Sequence, residues 1–114
     1  EHVRRVGPYM QDHLRKRFAN HELVGEVRGV GLIGALELVA DKETRKNFEP
    51  SRKIGPRVAR QAEEHGLITR ALGGDIIAFS PPLIITEAEI DEMIDRASRA
   101  LDDVAAELRQ ETAG

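Results

Sequence analysis

The sequence predicts an α+β fold, a two-layer sandwich in which three helices cover a mainly antiparallel sheet of about four short strands. Three segments, near the start, the middle and the end of the chain, carry apolar residues at steps of three and four, the period of an amphipathic helix. Between them lie two pairs of short apolar runs, each pair separated by glycines, as in strands joined by tight turns. A chain of 114 residues is long enough for one modest core, so we expect a single domain, residues 1–114.

The first predicted helix has one apolar stripe. Its members are Val3, Val6, Met10, Leu14 and Phe18. Gly7-Pro8 interrupts the pattern, and because proline removes a backbone hydrogen bond we expect either a kink there or a regular helix that begins at Pro8. The basic cluster Arg15 to Arg17 indicates a solvated face more than a nucleic-acid interface, because no aromatic stacking platform accompanies it.

The next region predicts two paired strands, the first from Val24 to Gly29 and the second from Leu32 to Val39. Gly29, Gly31 and Gly34 have the GxGxxG spacing of a dinucleotide-binding turn. That motif requires a helix after the glycines, whereas the run that follows has the composition of a strand. We therefore favour a structural role, a tight reversal, a bulge or the close approach of another backbone, and keep nucleotide binding as the alternative.

A polar connection, Asp41 to Ser51, leads to the middle helix, and we expect it to lie on the surface. The apolar side of the helix is marked by Ile54, Val58, Gln61, Ala62 and His65. Ser51 is a possible N-cap, and Gly66 is placed to end the helix in a left-handed conformation.

A β-hairpin should follow, with strands from Leu67 to Leu72 and from Asp75 to Ser80 around the turn Gly73-Gly74. Pro81-Pro82 ends the second strand, because proline cannot donate a ladder hydrogen bond. The first strand carries a single charged residue, Arg70, in an apolar run. Its guanidinium must either reach solvent and a surface ion pair or bind an anion, and its planar fork matches a carboxylate.

The last helix has the clearest pattern in the chain. Thr86 to Glu89 form a capping box that opens it. Its apolar stripe comprises Ile90, Met93, Ile94, Ala97, Leu101, Val104, Ala105 and Leu108. Its opposite, solvated face comprises Asp91, Asp95, Arg99, Asp102 and Arg109. We expect Gln110 to Gly114 to be a fraying tail.

Composition excludes several classes of function. The chain has no cysteine, and hence no disulfide, no thiolate nucleophile and no cysteine metal site, which fits a cytoplasmic protein. Its four histidines lack metal-ligand spacing, and its formal charge of −3 argues against a polyanion-binding role. No apolar run approaches the ~20 residues of a membrane span, and the first residues lack the apolar region of a secretory signal. The chain begins at Glu1 already in a helical pattern, so we expect it to be part of a longer polypeptide.

Two segments together resemble a known family. The runs VGEVRGVGLIGALEL and LITRALGGDIIAFSPPLIIT are similar to the C-terminal small domain of class III aminotransferases, enzymes that use pyridoxal 5′-phosphate and include the ω-amino acid:pyruvate transaminases. The resemblance covers nearly the whole chain. It implies the small-domain fold of fold-type I transferases and a homodimer in the full-length enzyme. It also implies that Arg70 binds the carboxylate of an amino or keto acid.

The resemblance also implies what this chain lacks. The lysine, the carboxylate and the phosphate site that hold the cofactor belong, in the family, to the large domain or the partner subunit. Lys16, Lys42, Lys46 and Lys53 fall on polar helices or a loop, so we expect no catalytic, cofactor-binding or metal-binding residue here and no activity from the 114 residues alone. The alternative function, from a different class, is a non-catalytic α+β protein-interaction module.

Overall fold

The computed structural model describes residues 2–44, 46–49, 52–67, 69–72, 75–82 and 84–113, with side chains from residue 5 to residue 111. Three helices and four strands lie in these segments. In chain order they are α1 (His2–Phe18), β1 (Val24–Val30), β2 (Ile33–Leu38), α2 (Ile54–Glu64), β3 (Arg70–Leu72), β4 (Ile76–Phe79) and α3 (Glu87–Ala113). The predicted α+β class is confirmed.

The four strands form one sheet in the order β1-β2-β4-β3, and every neighbouring pair is antiparallel. Because side chains alternate along a strand, residues paired across the sheet lie on the same face. Val27, Leu36 and Ile77 form one such row, and the latter two are fully buried. We call their side of the sheet the inner face and the opposite side the outer face. The helices pack on the inner face, which gives the two predicted layers.

The core lies between the inner face and the apolar stripes of the helices. The predicted α1 stripe is confirmed at Val6, Met10, Leu14 and Phe18, and all eight predicted stripe residues of α3 are buried. Removing these side chains from water supplies the main favourable term in folding, at about 25 cal/mol per Å² of apolar surface.

Helix α1 is continuous from His2 to Phe18, with Pro8 inside it, so the second of the two predicted alternatives, a regular helix that begins at Pro8, is wrong. The basic cluster lies on its exposed side, where Lys16 pairs with Asp12 and Arg17 with Asp95, each at 3.0 Å. These contacts fit the predicted solvated face.

The three glycines of the GxGxxG pattern lie in the β1-β2 hairpin, so the nucleotide alternative is wrong: Gly34 is followed by strand, not by helix. Gly31, with φ 60°, makes the reversal between the strands. Gln11 on α1 donates from Nε2 to the carbonyls of Gly31 at 2.8 Å and Ile33 at 3.0 Å. The glycines thus shape a turn that α1 holds by hydrogen bonds.

The connection between β2 and α2 lies on the surface as predicted, with one exception. Its described residues are mostly exposed, and Asp41 and Lys46 form an isolated bridge, but Phe48 is buried in the core. Lys42 donates to the carbonyls of Ala19, His21 and Val24. It therefore ties this connection to the end of α1.

Helix α2 begins at Ile54, and its N-cap is Lys53, which has φ 51° and no side-chain cap hydrogen bond. The predicted cap, Ser51, lies outside the described residues. Gly66 ends the helix with φ 84°, as predicted, and Leu67 N–H donates to the carbonyl of Ala62 at 2.8 Å in a Schellman motif.

The capping box of α3 is confirmed: Glu89 N–H donates to Thr86 Oγ1 at 3.2 Å, and Thr86 N–H donates to Glu89 Oε1 at 3.0 Å. The prediction of a fraying tail is wrong for residues 110–113, because they continue the helix. Gly114 lies outside the described residues. Arg57 of α2 donates to Glu107 at 2.8 Å and to Glu111 at 2.9 Å. Its hydrogen bond to Glu111 lowers the pKa of that carboxyl. These contacts join the end of α3 to α2.

Tyr9 joins α1 to the start of α3 and gives a pH-dependent prediction. Its hydroxyl donates to Asp91 Oδ1 at 2.6 Å, and this hydrogen bond, with smaller contributions from desolvation and the charges of Asp91 and Glu87, raises the pKa of Tyr9 to about 12. A pKa raised in the folded state contributes stability that is present below pH ~10 and is lost as the pH rises towards 12. Tyr9 is the single tyrosine of the chain, so ultraviolet phenolate absorbance should show a midpoint near 12, and Asp91→Asn should move it towards ~10. Equal midpoints in both proteins would contradict the prediction.

Candidate functional site

Arg70 is the first residue of β3, the short strand at one edge of the sheet. It pairs with Ala78 on β4, and Ala78 lies between the buried residues Ile77 and Phe79. The pairing therefore places Arg70 on the outer face, away from the helices, where its side chain is exposed. The sequence pattern identified this arginine as the candidate residue, and the register determines its face.

A row of paired residues crosses the outer face beside Arg70. Ala78 pairs with Ala35 on β2, and Ala35 pairs with Arg28 on β1. Two arginines thus stand at the ends of a row whose centre is formed by two alanines. The small methyl groups leave the space above the middle of the sheet open to a ligand that approaches either guanidinium.

The two arginines of this row differ in their partners. Arg28 Nη2 lies 3.5 Å from Glu37 Oε2, its neighbour on the same face. Within the described part of the chain, no carboxylate or other acceptor contacts the guanidinium of Arg70. A surface ion pair, the alternative role for a strand arginine, is therefore not made there by any described residue.

The connection between β3 and β4 differs from the predicted two-glycine turn. The pairing of Leu72 with Ile76 leaves three residues, 73–75, between the strands. Asp75, predicted to be the first residue of a strand, belongs to the turn and has φ 58°. Gly73 and Gly74, the predicted turn, lie outside the described residues. The first strand was also predicted to begin at Leu67 and is observed from Arg70.

Asp75 makes two hydrogen bonds that sequence reasoning missed. Its Oδ1 accepts from the backbone N–H of Gly55 at 2.9 Å, and its carbonyl accepts from Leu38 N–H at 3.0 Å. Gly55 lies in the first turn of α2, so the hairpin tip is fixed to that helix. An aspartate after two glycines was a turn signal, but nothing local to either residue indicated a contact across 20 positions.

The outer face also carries exposed apolar side chains. Val30, Ile33 and Leu72 are 76%, 61% and 45% exposed, respectively. Val30 pairs with Ile33 at the turn of the first hairpin, while Leu72 lies on β3, two residues from Arg70. An apolar surface that includes a cation is typical of a face that another protein segment covers.

The model of the family "Aminotransferase class-III" matches residues 1–101. The chain belongs to the class-III aminotransferase family. The prediction from the two sequence motifs is confirmed.

Three relatives show how this class-III aminotransferase chain compares. A diaminobutyrate–2-oxoglutarate transaminase of Halomonas elongata is 45% identical over 109 residues, which are 95% of this chain and 23% of the relative. A putrescine–pyruvate aminotransferase of Pseudomonas aeruginosa is 44% identical over 101 residues, 89% of this chain and 22% of the relative. The structure of a PMP-bound aminotransferase from Vibrio fluvialis has a TM-score of 0.87 and 40% identity, covering 94% of this chain and 23% of that one. The chain thus spans about a quarter of the length of its relatives.

Pyridoxal 5′-phosphate is an aldehyde that a lysine holds as an imine. The positions of the four lysines therefore indicate whether this chain could hold that cofactor. Lys16 pairs with Asp12 at 3.0 Å on α1, and the Nζ of Lys42 donates to three carbonyls. Lys46 and Lys53 are exposed, in the β2-α2 connection and at the start of α2. None of the four lies on a strand of the sheet beside Arg70. The described lysines therefore offer no imine partner for pyridoxal 5′-phosphate on the strands of this sheet.

No group of three or more histidine, cysteine, aspartate or glutamate side chains among the described residues is arranged to hold a metal ion. No described helix has the length and apolar character needed to cross a bilayer.

Proposed function

We propose that this chain is the C-terminal small domain of a pyridoxal-phosphate-dependent class-III aminotransferase and that Arg70 binds the carboxylate of its substrates. The observation that carries the proposal is the exposed guanidinium of Arg70, which no described residue pairs, on the outer face of a sheet in a chain of this family. An arginine fork accepts a carboxylate through two parallel charge-assisted hydrogen bonds. Such a contact binds and orients an amino or keto acid.

The position of Arg70 suits this role. Its backbone belongs to the β3-β4 ladder, which sets the face it occupies, while the long side chain is exposed and free to meet a ligand. The neighbouring residue across the ladder, Ala78, is small and leaves room for the guanidinium to move. A substrate without a carboxylate can then be accommodated when the side chain turns aside.

The substrates we propose are an amine or ω-amino acid as donor and a keto acid such as pyruvate as acceptor, as in an ω-transaminase. The putrescine–pyruvate relative supports a donor without a carboxylate and an acceptor with one. The diaminobutyrate–2-oxoglutarate relative supports carboxylates on both substrates. In every case at least one substrate presents the anion that Arg70 would bind.

The cofactor would be held outside these 114 residues. We place its lysine and its phosphate site in a large domain of the same longer polypeptide or in a partner subunit, because none of the four described lysines lies on a strand of the sheet that carries Arg70. When bound, pyridoxal phosphate would supply the electron sink for amino transfer. This chain contributes substrate binding, and its outer face, with Val30, Ile33 and Leu72, would pack on the large domain and complete the cavity.

Two further features of the whole protein are proposed, the first from the resemblance to the family and the second from the absence of cysteine in this chain. We propose that the full-length enzyme is a homodimer and that it is located in the cytoplasm. Size-exclusion chromatography with light scattering of the longer protein measures the first, and fractionation of the source cells measures the second.

The experiment that tests the function uses the longer protein that contains this chain. We expect it to show the visible absorbance of a lysine-bound cofactor and to transfer an amino group from a simple amine to pyruvate. The 114-residue chain, prepared under the same conditions with added pyridoxal phosphate, is the matched control and should show neither. A longer protein with no cofactor absorbance and no amino transfer would be a non-catalytic interaction module instead.

A further inference from the structure

We propose that Asp75 and Gly55 form a clamp that sets the position of Arg70 and so acts as a positioning element for carboxylate-bearing substrates. We call the pair the hairpin clamp. The inference rests on the proposed function, because it assigns a role in the same substrate contact. Neither residue is proposed to touch the substrate.

The clamp joins three elements at one residue. The carboxylate of Asp75 accepts from Gly55 N–H at 2.9 Å, at the start of α2. The carbonyl of Asp75 accepts from Leu38 N–H at 3.0 Å, at the end of β2. The tip of the β3-β4 hairpin is therefore attached to the helix and to the neighbouring strand at once.

Aspartate suits this turn for two physical reasons. First, Asp75 has φ 58°, a left-handed conformation that aspartate, asparagine and glycine adopt more readily than other residues. Second, the N-cap of α2, Lys53, makes no side-chain cap hydrogen bond, so the carboxylate of Asp75 supplies an acceptor and a negative charge at the positive end of that helix. The hairpin tip thus supplies the acceptor for a free backbone N–H of the helix start, and the helix start supplies the donor that holds the hairpin tip.

Glycine at position 55 makes the close approach possible. A Cβ atom there would lie 3.2 Å from both the Cα and Oδ1 of Asp75, and 3.7 Å from the Cβ of Ala71. The first two distances are tighter than nine in ten real Cβ contacts, so a methyl group at position 55 would require Asp75 to shift by a few tenths of an ångström. The distance to Ala71, which is adjacent to Arg70 in the chain, is an ordinary van der Waals contact, so the shift would act on Arg70 through the hairpin tip.

Strand β3 is held from one side of the sheet only, and it also contacts α2. It is three residues long, lies at the edge of the sheet and pairs with β4 alone. Short edge pairings belong to the parts of a protein that open most easily. An anchor at the hairpin tip, three residues beyond the end of β3, therefore has a large influence on where the guanidinium of Arg70 lies.

The test compares keto-acid and amine substrates in the longer aminotransferase. Asp75→Gly removes the carboxylate but keeps a residue that adopts φ 58°, Asp75→Asn keeps an acceptor oxygen, and Gly55→Ala adds one methyl group to the clamp. For Asp75→Gly we expect KM for pyruvate to rise roughly ten- to a hundredfold, the effect of a misplacement of up to about 1 Å. For Gly55→Ala, which shifts its neighbours by only a few tenths of an ångström, we expect a smaller rise in the same direction. The KM for a simple amine should change little. In Asp75→Asn, the KM for pyruvate should stay close to that of the unaltered enzyme.

Glu89→Gln is the matched control, because it alters a carboxylate that caps a different helix, α3. It should leave both KM values unchanged, and thermal unfolding of every variant reports general destabilisation separately. Suppose that Arg70→Ala raises KM for the keto acid alone, but the clamp variants raise KM for the keto acid and the amine equally. The clamp is then purely structural and the inference is wrong. If Arg70→Ala itself shows no difference between the substrates, the proposed carboxylate contact fails and the clamp role fails with it.

Discussion

In the longer aminotransferase, Arg70→Ala is expected to raise KM for a keto-acid acceptor roughly a hundredfold while KM for a simple amine changes little. The loss corresponds to about 3 kcal/mol, the upper range for hydrogen bonds to a charged group, and each 1.4 kcal/mol is a factor of ten. The variant should fold normally, because the side chain is exposed and no described residue pairs with it. Steady-state kinetics with pyruvate and with an amine that lacks a carboxylate measure the difference.

Two companion variants make the result specific. Arg70→Lys keeps the positive charge but loses the planar fork, so it should recover only part of the affinity. Arg28→Ala removes a cation from the same face and the same cross-strand row, but one that already has Glu37 as a partner at 3.5 Å. It should leave the keto-acid KM nearly unchanged. Equal losses in Arg28→Ala and Arg70→Ala would indicate a general effect of charge and would contradict a directed contact.

The elements that the sequence predicted well are those that neighbouring residues determine. The capping box at Thr86 needs only Glu89, three positions away, and the helix end at Gly66 needs only the preceding turn. Apolar periodicity likewise marked the buried faces of α1 and α3, and in α2 it marked Ile54, Val58 and Ala62. The predicted α2 residues Gln61 and His65 are only half-buried. Such features could be predicted because their physical causes lie within one or two turns of chain.

The sequence predictions are wrong where contacts between residues far apart in the chain determine the structure. Residues 110 and 111 looked like a tail, but Glu111 is held by Arg57, 54 positions away. Phe48 lies in a polar run, and only the assembled core explains its burial. The contact of Asp75 with Gly55 crosses 20 positions and joins a turn to a helix. No local pattern carries these pairings, since each depends on how the sheet and the helices pack.

The candidate site was predicted in part. An isolated arginine in an apolar strand, together with the resemblance to the family, identified Arg70, but the sequence alone did not determine which face it occupies. One residue of register would move it to the inner face, against the helices. The observed pairing with Ala78 places it outside, and the absence of a partner among the described residues then distinguishes it from Arg28.

The glycines of the first hairpin provide the prediction with the largest expected effect on stability. Gly34→Val should lower the free energy of unfolding by about 3 kcal/mol, the upper part of the usual range for an overpacked core. A Cβ atom at Gly34 would lie 2.6 Å from Leu14 Cδ1 and 3.4 Å from Met10 Cε, and Leu14 and Met10 are both fully buried on α1. A valine adds two further methyl groups at the point where the helix crosses β2. Denaturant unfolding of the protein measures the loss.

Two glycine variants separate packing from backbone conformation. Gly34→Ala adds only the Cβ, which the end of the Leu14 side chain can partly avoid, so its cost should be clearly smaller than that of valine. At Gly31 no atom lies within 4 Å of the added Cβ, but φ is 60°, so Gly31→Ala should cost about 1–2 kcal/mol through the backbone alone. Gly31→Asn should cost less, because asparagine tolerates that conformation. If alanine and valine at position 34 were equally destabilising, side-chain volume would not be the cause, and the close packing of α1 on β2 would be the wrong explanation for that glycine.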